Sequence, residues 1–143
     1  MHKRYVRYPF LTLTLLLFFQ AASLFSLGAW SRVDSPEVPL PADERRKFDH
    51  FFYEALNAKA LGRYDEAMDL FHYCHSLDST NANVLVELGT FYNVLQEKDK
   101  AFVFLQRAVA RDPDNYYYNM MLAGLSRELG RKQDVVDIYA SMY

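Results

Sequence analysis

Three residues in the sequence carry metal-ligand chemistry at close spacing: His72, Cys74 and His75. The two histidines are one helical turn apart, so they can share a metal ion if they lie on a helix. A tetrahedral zinc site needs a fourth ligand, and nothing in the sequence supplies it. Because Cys74 is the only cysteine, an intramolecular disulfide is also excluded. We therefore expect no metal site, but two solvent-facing histidines beside a buried thiol that packs as a small apolar side chain.

The other polar residues do not form a catalytic pattern. The sequence has no Gly-rich phosphate loop and no nucleophile elbow. The acid pairs Asp43-Glu44 and Asp65-Glu66 fall at predicted helix starts, where the helix dipole explains acidic residues. No set of residues suits acid–base or nucleophilic catalysis, so the sequence predicts a protein that is not an enzyme and holds no cofactor.

Composition and charge describe a mildly acidic, helix-forming globular chain. Of 143 residues, 51% are hydrophobic, and there are only five Gly and five Pro. Lys3, Arg4 and Arg7 belong to the start of the chain, so residues 30–143 hold 13 of the 16 basic residues and all 18 acidic ones. Binding to phosphate backbones needs clustered Lys and Arg, so we expect no nucleic-acid partner.

The N-terminal segment, residues 1–29, has the composition of an export signal. Residues 1–9 are basic, residues 10–19 are almost entirely apolar, and residues 21–29 are small or apolar. We expect the signal to be cleaved; the alternative is an uncleaved membrane anchor at residues 10–29, which is long enough to span a bilayer. Both interpretations place the rest of the chain outside the cytoplasm, in the periplasm or cell envelope, with membrane contact only through this N-terminal segment.

A proline-rich linker separates this segment from a helical domain. Residues 30–42 contain Pro36, Pro39 and Pro41, so we expect extended chain that no helix crosses. Residues 43–143 then show apolar residues at helical spacing, divided by turn residues. The predicted helices lie near residues 43–61, 64–77, 82–95, 98–111, 116–129 and 132–143.

A regular period, about 34 residues long, runs through the helical domain. Gly62, Gln96 and Gly130 recur at this spacing, at the turn between two helices. Further positions recur with the same period: Ala55, Gly89 and Ala123; Ala67, Ala101 and Val135; Phe71, Leu105 and Tyr139. Because Gly89 and Ala101 are small, we expect the two helices of one hairpin to approach closely there.

This pattern resembles the tetratricopeptide repeat, whose signature is a helix–turn–helix unit of this length. The resemblance implies an all-α fold, a right-handed α-α superhelix (solenoid), after an N-terminal apolar helix. Its three repeats would cover about residues 48–81, 82–115 and 116–143. One departure is Asn119, which replaces a bulky residue of the pattern. The N-terminal segment, the linker and the repeats together resemble the N-terminal end of longer exported bacterial repeat proteins.

The resemblance also implies that the first helix of each repeat lines a concave groove. That groove suits an extended or helical peptide with apolar side chains, and Asn83 and Asn93 would hydrogen-bond its backbone. An alternative for any single residue is that it only covers the hairpin surface. The groove residues would be Asp49, Phe52, Leu56, Lys59 and Ala60 in the first repeat, Asn83, Val86, Thr90 and Asn93 in the second, and Tyr117, Met120, Gly124 and Arg127 in the third.

One known specialisation of the family is the clamping of a chaperone's terminal carboxylate by basic and amide side chains. The corresponding positions here are Phe52, Leu56, Glu87, Tyr117 and Met121. None is basic and one is acidic, so a carboxylate would find no partner. We therefore expect an interaction scaffold that binds a different kind of protein segment.

Three successive tyrosines, Tyr116, Tyr117 and Tyr118, open the third repeat. Successive helix residues point in different directions, so they cannot form one stacking platform. We expect Tyr117 to face the groove and the other two to pack against the second repeat and the turn at Asp112–Asn115.

The last predicted helix presents an apolar face with no polar capping helix after it. Solenoid ends normally need such a cap for solubility. One interpretation is that this face serves self-association or contacts a partner or a membrane. The other, which we favour, is that the chain is the front part of a longer repeat protein. An alternative function follows: the extracytoplasmic sensing part of a longer signalling protein, such as a sensor kinase or a transcription regulator. The apolar residues are Val135, Val136, Ile138, Tyr139 and Met142.

Overall fold

The computed structural model describes residues 39–143, which form six α-helices and no strand. The helices are α1 (Ala42–Ala60), α2 (Tyr64–Leu77), α3 (Ala82–Val94), α4 (Lys98–Arg111), α5 (Tyr116–Glu128) and α6 (Lys132–Ser141). Each end lies close to its predicted position, which confirms the six predicted helices. The predicted export signal, the apolar N-terminal helix and most of the linker lie outside the described residues. No helix between residues 39 and 143 is long and apolar enough to cross a membrane.

The helices pair into three consecutive hairpins, α1–α2, α3–α4 and α5–α6. Neighbouring hairpins contact each other through α2 with α3 and α4 with α5. The helices that open the second and third hairpins, α3 and α5, begin at asparagine caps. The side chains of Asn81 and Asn115 accept hydrogen bonds from the backbone N–H of Val84 and Tyr118, each at 3.3 Å. The result is the predicted all-α stack of helix–turn–helix units.

The turn inside each hairpin has the same left-handed backbone conformation. Gly62, Gln96 and Gly130 have φ angles of 75°, 63° and 71°. Glycine adopts this region without penalty, whereas a residue with a Cβ atom is strained there. Gln96 is therefore a strained member of an otherwise glycine-built series.

We expect Gln96→Gly to raise the free energy of unfolding by about 1 kcal/mol, because glycine removes the left-handed strain, which exceeds its entropic cost. Urea unfolding followed by circular dichroism measures the change. Gly130→Gln, the reverse exchange at the equivalent turn, should lower the stability by a similar amount. Equal stability of all three proteins would contradict the argument.

Small residues set the close spacing inside the hairpins. Ala55, Ala67 and Ala101 are fully buried. A Cβ atom built on Gly89 would lie only 2.9 Å from Cγ of Leu105, closer than such atoms pack, so the predicted close approach at Gly89 is confirmed. The contact explains why this helix tolerates a glycine in its interior.

Two hydrophobic clusters form the core. The first joins α1, α2 and α3 around Phe71 and Leu88, both fully buried, and the second joins α3, α4 and α5 around Leu85 and Leu105. No residue of α6 is fully buried. Its use as a contact surface stays a prediction.

Candidate functional site

A cleft of about 210 Å³ opens between the first helices of the second and third hairpins. Four residues predicted for the groove lie together in its wall: Thr90 and Asn93 from α3, and Met120 and Gly124 from α5. The other lining residues are Gly89, Val94, Leu105, Met121, Leu125 and Glu128. The cleft is thus mostly apolar with a few polar groups, a composition that is typical of ligand sites.

Two of the polar side chains at the cleft form hydrogen bonds within the protein, and a third does not. Thr90 donates its hydroxyl to the carbonyl of Val86 at 2.9 Å, within its own helix. Glu128 accepts a hydrogen bond from Lys98 at 3.0 Å. The side-chain amide of Asn93 is half-buried and has no partner among residues 39–143. Its donor and acceptor are therefore available to a ligand.

Three of the five residues predicted for the groove from the first hairpin contact other residues of the protein. Phe52 stacks on Phe48 at 5.7 Å between ring centroids, and Leu56 is half-buried beside the first core cluster. Lys59 donates to Glu87 of α3 at 2.5 Å, so its charge joins the first two hairpins. Asp49 and Ala60, also predicted for the groove, are exposed.

In the second hairpin two predicted groove residues are occupied by packing. Val86 is only 6% exposed and belongs to the core, so its side chain does not line an open surface. The amide oxygen of Asn83 accepts a 2.7 Å hydrogen bond from the hydroxyl of Tyr118. Burial, and secondarily the charge of Asp112, raises the pKa of Tyr118, which therefore stays a donor at neutral pH.

Tyr117 and Arg127, which were predicted for the groove from the third repeat, are exposed. Tyr117 is 61% exposed, and Arg127 has no ionic partner within the described chain. The prediction that Tyr118 packs on the second repeat is confirmed by its bond to Asn83. The same prediction for Tyr116 is wrong, because this first residue of α5 is 65% exposed and so is not packed into the second repeat.

The two histidines of α2 are not solvent-facing as predicted. Both are half-buried against the second hairpin: Nε2 of His72 lies 3.2 Å from the hydroxyl of Tyr92, and Nε2 of His75 lies 3.5 Å from Nη1 of Arg107. Sequence periodicity missed these contacts because it gives the face of a helix but not the side chains on the next repeat. Within residues 39–143 no three potential ligands are grouped to hold a metal ion.

Cys74 is buried, as predicted. Its thiol faces the carbonyl oxygen of Phe48 at 3.9 Å, and burial raises its pKa to about 11. A thiol that stays protonated at neutral pH is a poor nucleophile and a poor metal ligand.

The stability of the protein should depend on the protonation of His75. Burial lowers its pKa below the ordinary 6.5, Arg107 and His72 lower it further, and Asp78 opposes them. The unfolded chain then binds this proton more readily than the folded chain. The contribution of neutral His75 to the free energy of unfolding is therefore fully present above pH 6.5 and is lost as the pH falls below it. His75→Gln, which keeps an acceptor for Arg107, should lose less stability between pH 7 and 5 in urea titrations. Parallel profiles for both proteins would contradict this.

Asn119 has a role that sequence reasoning missed. Its amide nitrogen donates to the carbonyl oxygens of Pro113 and Asn115, at 2.7 and 3.0 Å, and so fastens the turn between α4 and α5. The available signal was the turn itself, Asp112–Asn115, whose carbonyl groups need donors once the chain reverses.

Comparison with known proteins identifies the repeats. Residues 58–125 match the family model of the tetratricopeptide repeat. These residues span parts of all three hairpins, so the hairpins are similar to tetratricopeptide repeats in sequence as well as in fold. The repeat and fold predictions are confirmed by this match and by the six helices. Comparison with curated protein sequences gives no match.

Solved structures share this repeat fold at low sequence identity. MamA aligns with a TM-score of 0.61 and 19% identity over 70% of this chain and 58% of its own, so the chain spans less than two thirds of MamA. The Yersinia enterocolitica type III secretion chaperone SycD, in complex with a peptide of the translocator YopD, gives 0.60 and 15% over 68% and 74%. The first repeat domain of Spaghetti (RPAP3), bound to the HSP90 peptide SRMEEVD, gives 0.60 and 18% over 68% and 77%.

Proposed function

We propose that this protein is a non-enzymatic scaffold that binds a peptide segment of a partner protein in the groove formed by α1, α3 and α5. The observation that carries the proposal is the open cleft between α3 and α5, where the amide of Asn93 has no partner in the described chain. An extended peptide offers backbone donors and acceptors for such an amide, and its side chains fill apolar recesses.

The size of the cleft favours a side chain over a small molecule. Small-molecule pockets occupy about 300–1,000 Å³ and enclose most of the ligand. The cleft measures about 210 Å³ and is open to solvent on one side. It therefore suits one part of a longer ligand whose remainder extends along the groove.

The structural neighbours support a peptide as the ligand, but the ligand of this chain need not have the same chemistry as theirs. SycD and RPAP3 were each determined with a peptide bound. The HSP90 peptide bound to RPAP3, SRMEEVD, has three acidic residues, and the last of them is its C-terminal residue. Here the positions that would clamp a terminal carboxylate carry no positive charge, and one of them, Glu87, is paired with Lys59. We propose that the ligand is an internal peptide segment rather than a chain terminus.

The location that we propose is the periplasm or cell envelope, on the basis of the basic and apolar N-terminal sequence. Fractionation of cells that produce the full chain, with mass measurement of the recovered N-terminus, tests the location and the cleavage together. Recovery from the cytoplasm with Met1 or His2 at the N-terminus would overturn this part of the proposal.

The scaffold function is tested with a matched pair of tyrosines. Peptides selected from a phage-displayed random library on the full chain are measured against Tyr117→Glu, in the groove, and Tyr116→Glu, outside it. Both residues are more than half exposed, so neither change should disturb folding. We expect at least a tenfold loss of affinity, about 1.4 kcal/mol, for Tyr117→Glu only. Equal effects of both changes would reject the groove.

A further inference from the structure

Gly124 stands in the interior of α5 without a packing reason. Glycine weakens a helix relative to alanine, so an interior glycine calls for an explanation. At Gly89 the explanation is close contact with Leu105, but a Cβ atom built on Gly124 would meet no atom within 4 Å. The missing side chain at Gly124 instead leaves space in the cleft that this residue lines.

The space beside Gly124 has the size and lining for one apolar side chain. Met120 and Met121 of α5 contribute to its wall, and methionine adapts to irregular apolar shapes. A dry protein cavity of about 150 Å³ holds a benzene molecule. The cleft of about 210 Å³ is therefore large enough for a leucine or methionine side chain.

The charge next to the cleft is positive and unpaired. Arg127 follows Gly124 by one helical turn on the same side of α5, and no residue in the described part of the chain pairs with it. Glu128, the acidic residue in the cleft wall, is already bound to Lys98. The complementary group on a ligand is thus a carboxylate close to the apolar side chain.

We propose that the cleft beside Gly124 takes one leucine- or methionine-sized side chain from an extended segment of a partner protein, and that Arg127 pairs with an acidic residue adjacent to it in that segment. The inference rests on the proposed scaffold function and specifies the ligand of the same groove. The half-buried amide of Asn93, across the cleft on α3, binds the backbone between these two side chains.

The experiment uses the full chain and the peptides selected from the random phage-displayed library. We expect the selected sequences to be enriched in leucine or methionine with aspartate or glutamate within two positions. Gly124→Leu fills the cleft and should weaken their binding at least tenfold, whereas Ala110→Leu, which places the same side chain at an exposed site on α4, should change it less than twofold. Arg127→Gln should weaken binding and reduce its salt dependence.

A second measurement separates binding from folding. Gly124→Ala should raise the urea midpoint, because alanine favours the helix and meets no neighbour, while it weakens peptide binding. Loss of stability in Gly124→Ala would overturn the assignment of the glycine to the ligand.

The outcomes also distinguish this inference from the broader function. Peptides that bind Gly124→Leu normally but fail on Tyr117→Glu would overturn the cleft assignment and leave the scaffold function intact. Selection of sequences without an acidic residue would overturn the role of Arg127. Self-association that disappears in Gly124→Leu, with peptide binding unchanged, would make a second copy of the chain the occupant and overturn the inference.

Discussion

Replacing Phe71 with alanine is expected to lower the free energy of unfolding by about 3–5 kcal/mol. Phe71 is fully buried on α2, and its ring lies 5.9 Å from the ring of Phe52 on α1 and 6.0 Å from that of Phe91 on α3. Truncation removes apolar burial and leaves a cavity between three helices that cannot close it. Small domains are stable by only about 5–15 kcal/mol, so this change removes a large part of the total.

Urea denaturation followed by far-UV circular dichroism measures the effect. The control is Val103→Ala on α4, where the side chain is 52% exposed and its loss should change stability by less than about 0.5 kcal/mol. Because Phe71 contacts both the first and the second hairpin, its loss should also weaken their stacking. A similar small effect at both positions would show that the hairpins are not held by this aromatic cluster.

The periodic features of the fold were predictable from the sequence. Positions that recur once in every repeat are those where every hairpin has the same requirement, such as a left-handed turn at Gly62 or close helix approach at Gly89. Period and residue size together specify these requirements. The helix bounds were predictable for the same reason, because the turn residues that end the helices recur with the same period.

Contacts between different repeats were not predictable in this way. Lys59 pairs with Glu87, and His75 meets Arg107, across hairpin boundaries and at positions without a repeated pattern. Val86 lies at a groove position by alignment, but it is only 6% exposed and belongs to the second core cluster. Such partners depend on the rotation between hairpins, which the spacing of residues along one helix does not determine.

The candidate site shows the same division. The sequence predicted that Thr90, Asn93, Met120 and Gly124 face a shared surface, and the structure brings these four together in the wall of one cleft. The cleft itself arises because Gly124 has no side chain and because Asn93 stays without a partner in residues 39–143. Both facts concern empty space and unused bonding capacity, which only the assembled hairpins reveal.

Asn119→Asp is expected to destabilise the protein by about 3–5 kcal/mol at neutral pH, because it buries an unpaired charge. Asn119 is 1% exposed, and its amide nitrogen donates to the carbonyl oxygens of Pro113 and Asn115. Aspartate has the same shape, but its ionised oxygen would face these two oxygens without a proton to share. The other oxygen would take the place of Oδ1 of Asn119, which is buried and has no partner in the described chain.

The pH dependence of this variant gives the sharper test. Burial and the facing carbonyl groups should raise the pKa of the introduced carboxyl above its unfolded value of about 3.9. A group with a raised folded pKa contributes its stability below the unfolded pKa and loses it as the pH rises through the folded pKa. Asn119→Asp should therefore be closest to the wild type near pH 4, where the protonated carboxyl donates one hydrogen bond, and weakest near pH 7.

Asn119→Leu separates the charge from the lost hydrogen bonds. Leucine removes both donors without adding a charge, so the two carbonyl oxygens lose a partner but face no repulsion. We expect the leucine variant to lose about 1–2 kcal/mol of stability. Its stability should depend on pH in nearly the same way as that of the wild type. If the aspartate and leucine variants had the same stability at pH 7, the amide would not be fastening the turn through these two bonds, and the start of α5 would be held by the Asn115 cap alone.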